Sequence, residues 1–227
     1  MAAPLRFPTV AAVLAGIAAA AVHLLADARG NLLAALVAKP IPVLLLAAAV
    51  VLAPPSRARI PVVLGLLVAA AGDVVIQLPG RFLFGLGAFL LAHLFYIRGF
   101  WRLRGELLAG RALPFALFGG GMGVLLLPGV AAGGAVLRTA VILYILTIST
   151  MMWRAAAVVG APGLLPLVGR LALAGAILFA ASDSLIGVHR FLRPLPWADV
   201  PIMLLYWAGQ SGIACSAVAA GRREARA

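Results

Sequence analysis

Long apolar runs recur from one end of this chain to the other, separated by short gaps that hold arginine, proline or glycine. About 20 apolar residues in an α-helix cross the hydrocarbon layer of a membrane, and helices satisfy their own backbone hydrogen bonds there. The 227 residues are 65% hydrophobic and 11% charged, whereas a soluble domain is nearer half apolar and a quarter charged. The runs are also too long and too frequent for buried core helices. The sequence therefore predicts an all-α polytopic membrane protein, a single helical-bundle domain over 1–227. The first run lacks a strong basic segment before it and reads as a span, not a signal peptide.

Eight transmembrane helices are predicted, at roughly 8–26, 32–53, 60–78, 82–101, 112–131, 139–153, 171–188 and 197–219. The sixth has the least defined ends and can also be drawn from Gly134 to Val159. Pro54-Pro55, Pro79-Gly80, Pro162-Gly163 and Pro194-Leu195-Pro196 mark gaps. Seventeen of the 18 basic residues are arginine, and they divide unequally. Twelve fall on the side of the N-terminus: Arg6, Arg57, Arg59, Arg98, Arg102, Arg104, Arg111, Arg154, Arg170, Arg222, Arg223 and Arg226. Five fall opposite: Arg29, Arg81, Arg138, Arg190 and Arg193. Cytoplasmic loops hold the excess, so both termini are expected in the cytoplasm, in the inner membrane of a bacterium.

The net charge of +12 thus reads as topology. No aromatic-interleaved basic patch or glycine-rich phosphate loop accompanies it, so no nucleic-acid partner is expected. A single cysteine, Cys215, excludes an intrachain disulfide and a cysteine-rich metal site and is assigned to helix packing. His23, His93 and His189 are dispersed and give no metal-site spacing. No cofactor is expected.

Asp73 and Asp183 are 110 residues apart, and so are Tyr96 and Tyr206. AAAGDVVIQLPGRF around the first acid is similar to AASDSLIGVHRF around the second. Spans 3–4 thus resemble spans 7–8, and an offset of four spans makes a parallel 4+4 repeat with halves 1–111 and 112–227. It also places both acids at similar depth, near the outer ends of their spans.

The chain has six acidic residues. Asp27 and Asp199 fall at outer span ends, and Glu106 and Glu224 fall in cytoplasmic segments. Asp73 and Asp183 fall inside spans, where an ionised group costs several kcal/mol and normally faces an internal cavity. Each acid can serve packing alone, bonding a nearby arginine or amide. As a pair in one dry pocket they do not both ionise. One then holds a proton and the other a charge, which suits general acid and base work.

His93 and Tyr96 share one face of span 4, and Tyr206 and Gln210 one face of span 8. Either pair can serve interhelical hydrogen bonding or a site. Lys39, the only lysine, sits in span 2 beside Pro40 and can snorkel to the interface or reach an anionic head group. Thr147, Ser149 and Thr150 are read as bonding back to their own helix, Gly119 and Gly123 as a packing contact, and His23 and His189 as interfacial. Ser182 and Ser184 flank Asp183 with nothing to activate them as nucleophiles.

GDVVIQLPGRFLFGLGAFLLAHLFYIRGF resembles the signature of the YhhN family: Gly-Asp, then Phe-x-x-Gly, then Ala-Phe-x-x-Ala-His-x-x-Tyr. SDSLIGVHRF is similar to its second acid motif, YWAGQSGI to its last-span Tyr and Gln, and Lys39-Pro40 to its early Lys-Pro. The resemblance covers most of the chain, and the Asp motifs are its most specific part. The family includes the vertebrate transmembrane 86 proteins, and its characterised members are lysoplasmalogenases. The resemblance implies hydrolysis of the vinyl ether of a lysoplasmalogen, a lysophospholipid, to a fatty aldehyde and glycerophosphoethanolamine or glycerophosphocholine. It implies that Asp73 and Asp183 are catalytic and that Lys39, His93, Tyr96, Tyr206 and Gln210 line the substrate site.

That reaction protonates the β-carbon of the vinyl ether and passes through an oxocarbenium ion. Two carboxyl groups meet similar needs in glycosidases. Which aspartate is the acid stays open, as does which cation pairs with the phosphate: Lys39, Arg81 or Arg190. Two rival functions fit the same acids, a proton-coupled transporter of lipid or a small molecule and a non-catalytic packing or scaffold protein.

Overall fold

A computed structural model describes residues 7–225. Arg6 and Arg226, both counted in the charge asymmetry, lie outside the described residues. Within them the chain forms nine α-helical segments. These are α1 (Phe7–Ala28), α2 (Leu32–Ala38), α3 (Ile41–Leu52), α4 (Arg59–Val75), α5 (Phe82–Leu103), α6 (Leu113–Val130), α7 (Gly134–Val158), α8 (Pro166–Phe191) and α9 (Asp199–Glu224). Seven stretches are long and apolar enough to cross a membrane, with Leu32–Leu52 taken as one. This is an integral membrane protein. The remaining long helix, α4, has 17 residues.

The element order follows the predicted spans closely, and the differences have local causes. Span 2 divides into α2 and α3 at Lys39-Pro40, because a proline nitrogen has no hydrogen to donate within a helix. The sixth span takes its longer form, Gly134–Val158. Asp73 lies two residues from the end of α4 at Val75, but Asp183 lies eight from the end of α8 at Phe191.

The hairpin of α8 and α9 has the most extensive helix contact, followed by that of α4 and α5. α9 also packs on α3 and α4, α5 packs on α7, and α6 lies against α7 and α8. Glycine lets α8 and α9 approach closely. A Cβ on Gly175 would fall 2.6 Å from the Ile213 nitrogen and 2.8 Å from the Gly209 carbonyl oxygen. On α4, Gly65 leaves the space that the Tyr96 ring of α5 occupies. Gly119 packs against Ser149 as a small-residue contact should, while Gly123 faces open space with only Leu127 near it.

Three residues depart from their expected places. Arg154 is buried, not a solvated topology charge. It donates to the carbonyls of Arg104, Glu106 and Leu107 and stacks 4.1 Å over Trp101. Arg104 and Arg111 in turn donate to Ala156, Ala157 and Val159, satisfying carbonyls that the end of α7 leaves free. His23 is buried and not interfacial, meeting the Ala35 carbonyl at 3.1 Å and the edge of Trp207. Cys215, assigned to helix packing, is exposed.

Candidate functional site

The polar side chains inside the bundle gather around one aromatic ring. Phe179, on α8, is fully buried. Its ring centre lies 4.7 Å from that of His93, 5.3 Å from Tyr206, 6.3 Å from Phe89 and 6.4 Å from Tyr96. All four contacts are edge-to-face, the preferred packing of rings with a negative face and positive edge. Helices α5, α8 and α9 thus converge on an aromatic partition, and the two acids approach it through different neighbours, Asp73 through Tyr206 and Asp183 through His93.

On one side, Asp73 of α4 is fully buried, and its Oδ2 accepts a 2.8 Å hydrogen bond from the Tyr206 hydroxyl of α9. Beside it the Tyr96 hydroxyl donates to Gln210 Oε1 at 2.7 Å. Lys39, half-buried at the α2–α3 break, is close enough to act on Asp73 electrostatically. Gln77 reaches back from the following turn to the Asp73 carbonyl at 2.8 Å, which secures the short end of α4.

On the other side, the Tyr144 hydroxyl of α7 donates to Asp183 Oδ2 at 2.6 Å. His93 Nε2 stops 3.7 Å from the same oxygen, beyond hydrogen-bond distance. The Asp183 side chain retains 13% exposure and lines a narrow apolar cleft of about 60 Å³. The cleft runs between α5 and α6 and is floored by α7 and α8, with Phe82, Leu86, Phe118, Met122 and Ile145 on its walls. Asp73 lines no part of it. Asp183 is therefore the carboxyl that meets the cleft, and Asp73 does not.

Several buried polar atoms of this cluster have no hydrogen-bond partner among the described residues: Asp73 Oδ1, both His93 ring nitrogens and Gln210 Nε2. Unpaired buried groups are costly and uncommon, and here they belong to residues around one ring. The hydrogen bonds within the cluster join each carboxyl to a tyrosine hydroxyl and Tyr96 to Gln210. Among the described residues no set of three or more His, Cys, Asp or Glu side chains could hold a metal ion.

The structure brings His93, Tyr96, Tyr206, Gln210 and both acids to this one region, with Lys39 at its edge. It also adds Tyr144 and Phe179. Tyr144 had a signal in the sequence: the chain has three tyrosines, and the other two stood out as site residues. Phe179 had none, because an aromatic residue in an apolar run reads as lipid contact or core. Thr147 and Thr150 bond back to their own helix, as does Ser184. Ser182 instead ties α8 to the Ile202 carbonyl of α9.

A model of the YhhN family matches residues 34–217, a stretch that contains every one of these side chains. The chain belongs to the YhhN family. Similar proteins include one named Lysoplasmalogenase from Mycobacterium tuberculosis, 36% identical over 176 residues, which is 73% of this chain and 63% of that protein. The human protein named Lysoplasmalogenase TMEM86B is 33% identical over 181 residues, 79% of this chain and 74% of that one. The human Lysoplasmalogenase TMEM86A is 35% identical over 170 residues, 74% and 68% of the two chains. The match thus spans less than two thirds of the mycobacterial relative's length. No solved structure matches the chain.

Proposed function

We propose that this YhhN-family chain is a membrane-bound lysoplasmalogenase that hydrolyses a vinyl ether to a fatty aldehyde and a glycerophospho-ethanolamine or -choline. The observation that carries this is a membrane bundle in which one of two inward acids, Asp183, borders an apolar cleft. Relatives named for that activity cover most of the chain.

Asp183 gives its proton to the β-carbon of the vinyl ether, and the adjoining carbon becomes an oxocarbenium ion. Water adds to that carbon and returns a proton to the Asp183 carboxylate, leaving a hemiacetal. The hemiacetal loses its hydroxyl proton as its bond to the glycerol oxygen breaks, and that oxygen takes the proton up. One water is consumed, and aldehyde and alcohol leave. Asp73, held by Tyr206, supplies negative potential for the cation from behind the partition. Tyr144 and His93 set the orientation of the Asp183 carboxyl, and Tyr96 and Gln210 hold the aromatic wall in register. The cleft takes the reacting end of the substrate, while the rest of the apolar chain lies outward along the α5–α6 seam. Substrate then enters sideways from the bilayer.

The membrane is the cytoplasmic membrane of a bacterium. The chain crosses it eight times with both termini inside, counting α2–α3 as one crossing and α4 as a short one. The crossings form one domain with parallel repeat halves 1–111 and 112–227. Equivalent hairpins, α4–α5 and α8–α9, supply Asp73 and Asp183, and each acid accepts from a tyrosine. The repeat is unequal in its partners, because Asp183 takes Tyr144 where strict symmetry would supply Tyr96.

Aldehyde release by purified protein from a lysoplasmalogen tests the function and separates hydrolysis from transport, which makes no product. Asp183→Asn is expected to lower turnover by about 100-fold or more, as loss of general acid–base chemistry does, and Asp73→Asn is expected to lower it through loss of the negative charge that stabilises the cation. Near-normal turnover in both variants would show the acid-pair mechanism to be wrong.

A further inference from the structure

We propose that Arg190 binds the phosphate of the substrate and thereby sets its position against Asp183, an inference that rests on the hydrolase function proposed above. A second cavity, of about 490 Å³, opens where α4 turns into α5. Gln77 and Gly80 of that turn line it, with Leu137 of α7 and Arg190 of α8. Its volume lies within the range of about 300–1,000 Å³ usual for ligand sites. Ile76 and Phe82 border both this cavity and the Asp183 cleft, so the two spaces adjoin. One contains a guanidinium, and the other is an apolar slot that reaches a carboxyl. A lysophospholipid divides in the same way, with an anionic phosphate, a three-carbon glycerol and one apolar chain.

Arg190 is exposed and, among the described residues, has no carboxylate partner. All six acidic side chains are described, and the cation–carboxylate contacts among the described residues are the pair of Arg104 with Glu106 and the 3.7 Å approach of His93 to Asp183. The guanidinium carbon lies 3.7 Å from the centre of the Phe82 ring. Stacking engages the flat face of a guanidinium and leaves its edge N–H groups free, and those are the groups that grip a phosphate through two parallel bonds. The phenyl ring thus fixes the cation at the junction of the two cavities.

Spacing along α8 supplies the measure. Arg190 follows Asp183 by seven residues, which advances about 10.5 Å and closes nearly two turns, so both residues leave the same face. Helical side chains lean toward the N-terminus, which brings the guanidinium back toward the acid. From the β-carbon of a vinyl ether to the phosphorus of the same lipid are seven bonds, about 8 Å at ordinary bond lengths. A substrate whose β-carbon meets Asp183 therefore carries its phosphate to Arg190. Lys39 lines neither cavity. Arg81 lies 5.4 Å from the Phe84 ring and lines neither cavity.

The test uses the purified full-length chain and two substrates with the same vinyl ether: a lysoplasmenylethanolamine and a 1-O-alkenylglycerol that lacks the phosphate. Arg190→Gln is expected to lower kcat/KM for the phospholipid about 10- to 100-fold, mainly through KM, as loss of a charge-assisted bond does. It leaves the alkenylglycerol within about twofold, Arg190→Lys falls between, and Arg81→Gln changes neither. Binding of the saturated alkyl ether lysophospholipid reads the same contact without turnover, and its affinity is expected to fall by the same factor in Arg190→Gln. If Arg190→Gln changes both substrates equally or neither, and alkyl ether binding is unaltered, Arg190 does not hold the phosphate. If the unmodified protein releases no aldehyde yet binds the alkyl ether lipid through Arg190, the hydrolase function fails and the phosphate site stands.

Discussion

Tyr144→Phe removes one oxygen from the proposed site and nothing else. The Tyr144 hydroxyl donates to Asp183 Oδ2 at 2.6 Å, within the range of O–H bonds to carboxylates. The ring lies edge-on to His93, 5.2 Å between centres, and phenylalanine keeps that packing. The variant therefore costs one hydrogen bond to a mostly buried carboxyl. Such bonds contribute about 1.5–3 kcal/mol, and each 1.36 kcal/mol is tenfold in rate. The expected loss in kcat/KM is about 10- to 100-fold, borne mainly by kcat because the bond orients the reacting carboxyl and not the lipid. Tyr96→Phe is the comparison, since its hydroxyl donates to neutral Gln210. A neutral bond is worth about 1 kcal/mol, so that loss should be roughly fivefold. Steady-state aldehyde release by both variants, with yield and thermal stability measured in the same detergent, makes the check. If Tyr144→Phe stays within twofold of the parent while Asp183→Asn is inactive, the 2.6 Å contact does not hold the acid in its working geometry.

Two further predictions concern the frame that holds the acids. Phe179→Ala empties the buried ring between the two half-sites and is expected to destabilise the fold by about 3–5 kcal/mol, seen as a lower midpoint in detergent unfolding; Phe179→Leu should recover much of it. Gly175→Ala drives a methyl group into the α9 backbone, 2.6 Å from the Ile213 nitrogen. It is expected to cost about 1–3 kcal/mol and to lower activity by parting α8, which carries Asp183 and Phe179, from α9, which carries Tyr206, whereas Gly120→Ala, which meets open space, should leave both unchanged.

The helices and their order were legible in the sequence because a membrane span advertises itself: its length is set by the bilayer and its composition by the exclusion of charge. Asp73 and Asp183 stood out for the same reason, as carboxyls where the other four acids had an easy place in water. Arg154 shows the limit, since its count as a topology charge says nothing of the carbonyls of Arg104, Glu106 and Leu107 that claim it. Cys215 shows it too, for a small apolar residue reads as packing whether its helix face meets protein or lipid.

Hydropathy along the chain determines which segments are long and apolar enough to cross a membrane, because that is a local property of each segment's own residues. It does not settle which face of each helix turns inward, since lipid and protein interior are equally apolar. Only the packing of α4, α5, α7, α8 and α9 decided that Tyr144 meets Asp183, that Tyr206 meets Asp73, and that Phe179 touches both His93 and Tyr206. Those contacts join residues 39 and 133 positions apart, and no periodicity within one helix encodes them.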